Sequence, residues 1–110
     1  MYARVARFEG GDPSRIDAQV AEMKMQMQSA KSGGLPAGAP EGAQTLMESV
    51  SRFMHFVDRE SGTSVGIAFC ETEEKMQRAH AALNQMSPEE GSGRRTSAEI
   101  FELAVDESFG

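Results

Sequence analysis

Residues 51–70, SRFMHFVDRESGTSVGIAFC, constrain the fold more than any other stretch. Phe53 to Val57 and Val65 to Phe69 are short β-branched, aromatic and apolar runs. Between them lies the polar run Asp58 to Thr63, with a glycine at Gly62. Such a pattern predicts two antiparallel strands and a tight turn, with Gly62 in the positive-φ region. Alternation puts Phe53, His55 and Val57 on one face of the first strand and Met54 and Phe56 on the other. A two-residue turn at Ser61-Gly62 sets His55 opposite Ala68, with Gly66 and Cys70 on the same face. A three-residue loop with a glycine bulge shifts the register by one. The face of Val65, Ile67 and Phe69 is the bulkier, and it is expected to pack on helices.

The rest of the chain arranges itself around this hairpin. Tyr2 to Glu9 alternates as a strand and ends at Gly10-Gly11. Asp12-Pro13 then opens a helix, Asp12 as cap and Pro13 where a missing N–H costs nothing. Its apolar stripe is Ile16, Val20, Met23, Met27 and Ala30. Ser32 to Gly42 holds four glycines and two prolines in eleven residues, which predicts a loop over about 32–43, a candidate lid. Ala43 to Val50 reads as a short helix. After the hairpin, Thr72 caps a second long helix whose stripe is Met76, Ala79, Leu83 and Met86. Ser87-Pro88 stops it. Glu89 to Arg95 is a polar connector, and Ser97 to Val105 alternates as the last strand.

The resulting β-α-β-β-α-β order predicts an α+β, ferredoxin-like domain spanning residues 1–110, with both helices on one face of an antiparallel four-stranded sheet. Every strand carries apolar or small residues on both faces. Two helices cover only one, so a homodimer joined through the sheet faces is expected, closing an α+β barrel. The 39% hydrophobic content, low for a compact domain, points the same way.

The net charge of −6 speaks against nucleic acid as a partner. A single cysteine, Cys70, permits neither an internal disulfide nor a cysteine metal cluster. Met1-Tyr2-Ala3-Arg4 lacks an apolar signal core, and no apolar run reaches membrane-spanning length; the expectation is a cytoplasmic protein without a membrane partner.

The strand VARFEGG with its capped helix, the hairpin FVDRESGTSVGIAF, the CETEEKM junction and the closing strand RRTSAEIFEL together resemble the dimeric α+β barrel superfamily, in its antibiotic-biosynthesis-monooxygenase-like branch. The resemblance implies a barrel pocket for a small apolar or aromatic ligand, and a family that includes cofactor-independent quinone-forming monooxygenases and haem-degrading enzymes. Haem-degrading members pair a strand-end tryptophan with a histidine ten residues on and an asparagine on the first strand. Here the strand end is Cys70, the histidine is His80, and the first strand offers Arg4 and Arg7 instead. No cofactor is therefore expected, and no stoichiometric haem complex.

The pocket candidates are His55, Arg4, Cys70, His80 and Phe53. His55 faces the space left by small residues, and Phe53 shares its face. Arg4 and Arg7 emerge on opposite faces, so one lies inside. Its partner is either Glu99 or Glu102 in a structural ion pair, or a bound anion. Cys70 reads as a small buried residue, since nucleophilic use needs a base and a lowered pKa. His80 reads as a helix-edge imidazole with a wet tip, or as a residue facing a cavity. The methionines at helical spacing read as core filler. Two functions follow: a monooxygenase-like enzyme acting on a flat aromatic or quinone-like substrate, or a non-catalytic dimeric binding or regulatory module.

Overall fold

A computed structural model of the chain describes residues 1–34, 42–86 and 93–110. Four strands, β1 (Tyr2–Glu9), β2 (Arg52–Val57), β3 (Ser64–Cys70) and β4 (Arg94–Glu102), form one sheet in the order β2-β3-β1-β4. All three neighbouring pairs are antiparallel. Three helices accompany them: α1 (Ile16–Gly33), α2 (Ala43–Ser49) and α3 (Glu73–Gln85). This is an α+β architecture compatible with a ferredoxin-like fold. The glycine- and proline-rich stretch read as a lid falls, over 35–41, outside the described residues, as do the Ser87-Pro88 helix stop and 89–92 of the polar connector.

Local chemistry explains the element boundaries. Asp12 Oδ1 accepts from Ser14 N at 3.0 Å and caps a 3-10 turn, Pro13–Arg15, from which α1 continues. Thr72 Oγ1 accepts from Lys75 N at 3.1 Å and opens α3, with Glu73 and Glu74 in its first turn. Strand β4 begins at Arg94, three residues before the expected start. A register shift between Arg7 and Phe8 lets Arg95 pair with Phe8 and Arg94 with Glu9. It ends at Glu102 because its partner β1 runs out; Leu103 N makes a last bond to Met1 O at 2.9 Å.

The hairpin corrects both sequence-derived registers. His55 pairs with Gly66 instead of Ala68. The connection is longer than either turn allowed for: Asp58 N donates to Thr63 O, and Asp58 Oδ1 accepts from Glu60 N and Ser61 N. The register moves by two, so His55 keeps its face beside Gly66, Ala68 and Cys70. Gly62 does take positive φ, at +79°, and a Cβ there would lie 2.2 Å from Gly11 O.

The expected packing face is also overturned. Gly66, Ala68 and Cys70 are buried, whereas Val65, Ile67 and Phe69 are only half-buried. The helices cover the small-residue face because it alone admits close approach of a helix backbone. The bulky face stays open in the single chain: Val65, Ile67 and Phe69 lie across from Arg7, Val5 and Ala3 on β1 and from Phe56, Met54 and Arg52 on β2. Phe101, opposite Ala3, extends it on β4.

On the covered face, packing is uneven. At one end Cys70, Met76 and Ala79 form a fully buried cluster, with Tyr2, Leu46, Val50 and Ile100 against it. At the other end α1 buries only Ile16; Val20, Met23 and Ala30 are half-buried and Met27 is exposed. The stripe read from the sequence is present, but the sheet beneath it offers small side chains that do not reach it.

Candidate functional site

That mismatch leaves a cavity of about 190 Å³ between sheet and helices. Its floor is Ala6, Gly66 and Ala68 from the two central strands, and α1 supplies Ile16, Gln19, Val20 and Met23 opposite. Phe53, His55 and Val57 of the edge strand β2 form one wall, and Arg4 another. Phe53 is 36% exposed and Asp12 is exposed, so the cavity meets solvent on their side. The lining is mainly apolar with a few polar groups, the usual make-up of a small-molecule site.

Small residues create this space. A Cβ placed on Gly66 would stand 3.4 Å from Phe53 Cζ and 3.9 Å from His55 Nδ1. Without it, the two rings stack side by side, 6.4 Å between centroids and 17° between planes. Burial lowers the His55 pKa from its ordinary value, because the charged imidazolium loses water in an apolar wall. The ring is thus neutral at neutral pH, with a nitrogen able to accept a proton.

Arg4 sits where the packed cluster meets the hollow. It is 3% exposed, yet it pairs with neither Glu99 nor Glu102. Glu99 stands opposite Val5 and Glu102 opposite Tyr2, leaving Ile100 across from Arg4. The ion pairs among the described residues are Arg7–Glu9, Arg59–Asp17 and Arg78–Glu74, all at the surface. Arg4 instead donates from Nε to His80 Nδ1 at 3.1 Å and from Nη2 to Asn84 Oδ1 at 2.9 Å. Burial first, and the Arg95 charge second, lower its pKa from the ordinary guanidinium value. Arg95 itself donates to the carbonyls of Leu83 and Asn84 at 3.0 and 3.2 Å.

His80 therefore lies behind Arg4 and is not among the cavity-lining residues. Its Nδ1 accepts from Arg4, and its Nε2 stands 3.1 Å from Asn84 Nδ2. Its pKa is lowered by burial and then by the Arg4 and Arg95 charges. Its Nδ1 is taken by Arg4 and the ring lines no part of the cavity, so the residues here do not fit a haem ligand set. Cys70 is wholly buried under Met76 and Ala79 and lines no part of the cavity. Burial pushes its thiol pKa up, against a smaller opposing effect of Lys75, which suits a packing residue. Among the described residues no three His, Cys, Asp or Glu side chains gather to hold a metal ion. No helix of the described chain is long and apolar enough to cross a membrane.

The structure thus brings Arg4, Phe53 and His55 to one cavity and sets Cys70 and His80 apart from it. Sequence reasoning missed Asn84. The available signal was its spacing of four from His80, which places both on one side of α3. No family model matches this chain, and no curated protein sequence does either.

Proposed function

We propose that the chain binds a flat aromatic or quinone-like small molecule in the cavity beneath α1, in a monooxygenase-like role that needs no cofactor. The observation that carries this reading is the apolar hollow walled by Phe53 and a neutral His55. A ring burying roughly 200 Å² of apolar surface there gains about 5 kcal/mol, a dissociation constant on the order of 0.1–1 mM before any polar contact. In this reading a neutral His55 takes the proton of a phenolic hydroxyl, the step that makes such a ring electron-rich enough to react with oxygen. A second reading, a non-catalytic binding module, is favoured by one feature: His55 has no hydrogen-bond partner among the described residues to fix its orientation.

One substrate separates the two. With 1-naphthol and dioxygen, a monooxygenase-like enzyme forms 1,4-naphthoquinone and water, consuming one dioxygen per quinone. Catalysis is expected as oxygen uptake matched by quinone absorbance and lost in His55→Gln. Saturable binding without uptake would establish the binding module, and absence of binding would refute both. The same proposal includes a homodimer joined through the open sheet face, supported by its half-buried Val65, Ile67 and Phe69 and its exposed Phe56 and Phe101.

A further inference from the structure

The Arg4 cluster is short of hydrogen-bond acceptors. A neutral imidazole has one acceptor nitrogen. Arg4 Nε–H occupies it at Nδ1, so Nε2 carries the ring proton and faces the Asn84 amide nitrogen at 3.1 Å, donor against donor. Turning the Asn84 amide over would satisfy Nε2 and set its NH2 against Arg4 Nη2 instead. With these contacts one donor pair stays mismatched in either orientation.

Among the described residues, charge is uncompensated as well. Arg4 is a cation at 3% exposure, its hydrogen-bond partners are neutral, and its charged neighbour is Arg95. A buried charge ordinarily takes an opposite charge. Arg4 Nη1 makes no hydrogen bond among the described residues, yet no fully buried polar side-chain atom of theirs lacks a partner. Arg4 contributes to the cavity wall.

We propose that the cavity takes an aromatic carboxylate whose ring lies against Phe53 and His55 and whose anionic oxygen accepts from Arg4. This rests on the small-molecule reading above and narrows it to acids. The ligand supplies Arg4, which lines the cavity, with a further acceptor and with the negative charge that its described partners do not carry. A charge-assisted bond to a desolvated guanidinium is stronger than its neutral counterpart, so an acid should outbind its own amide.

The test is calorimetric titration of the full chain with 1-naphthoate and with 1-naphthamide, nearly equal in shape and different in charge. The expected result is a preference for the acid of about tenfold or more. The Asn84→Asp variant, nearly isosteric at an exposed position, supplies a carboxylate to Arg4 from within the chain. There the preference should collapse while amide binding persists. Equal binding of acid and amide by the unmodified chain would overturn the inference and leave the small-molecule reading standing. So would a preference unchanged in Asn84→Asp, since the anion would then be held elsewhere. Binding of neither probe would overturn both.

Discussion

Two histidines of this chain share a direction of titration and its leading cause, burial, to which nearby charges add at His80. His55 is held below its ordinary pKa by the apolar wall around it, His80 by burial and then by the charges of Arg4 and Arg95. Both pKa values are lowered in the folded state, so the unfolded chain binds more protons around the ordinary histidine value of about 6.5. Stability is accordingly complete above that value and falls as pH drops through it. Asp12 and Asp58, whose pKa values are lowered from an already acidic range, act only well below this window. Thermal denaturation from about pH 8 to about pH 5, roughly 1.5 units either side of the ordinary value, should show a falling midpoint, with a shallower fall in His55→Gln. A profile that His55→Gln leaves unchanged would mean that the ring is hydrated in the folded chain. Part of this was legible in sequence: strand alternation and the small residues at Gly66 and Ala68 put His55 over open space. Asn84 was not, because a spacing of four on a helix acquires meaning only when something on the sheet, here Arg4, stands opposite it.

Among the elements, the hairpin shows what pattern reading resolves and what it does not. The strands and the glycine turn follow from residue type. The register depends on hydrogen bonds inside the loop, where the Asp58 carboxylate gathers the N–H groups of Glu60 and Ser61 and lengthens the connection. Parity survived because the shift was even, and parity alone decides which face a side chain occupies. Gly62 anchors the arrangement: its φ is +79°, and any Cβ would press on the Gly11 backbone. Gly62→Ala should therefore destabilise the chain by about 2–4 kcal/mol, from left-handed strain plus a backbone clash, measured by urea denaturation. A loss below about 0.5 kcal/mol, the range of neutral surface changes, would show that the tip moves freely away from the Gly10-Gly11 turn. Helix α1 teaches a different point. Its stripe is plain in the sequence, but depth of burial belongs to the opposing surface, and small β-strand residues leave the stripe over a hollow.

At the scale of the whole molecule, the two sheet faces have exchanged the roles that side-chain bulk suggested. The small face accepts the helices and the cavity, and the bulky face is left open in a single chain. A second copy is the proposed cover, and sedimentation at micromolar concentration should give twice the chain mass. Phe101→Asp, on the open face, should shift the population to monomer, whereas Phe53 stands in the cavity wall. A native chain that sediments as a monomer would contradict the dimer without touching the cavity. Amide-resolved NMR titration with 1-naphthol shows whether the cavity takes a ligand. Binding in the cavity gives saturable shifts at Ala6, Gly66, Ala68, His55, Val20 and Met23, with Val65, Ile67 and Phe69 moving little. Shifts concentrated on the open face, or none that saturate, would contradict it.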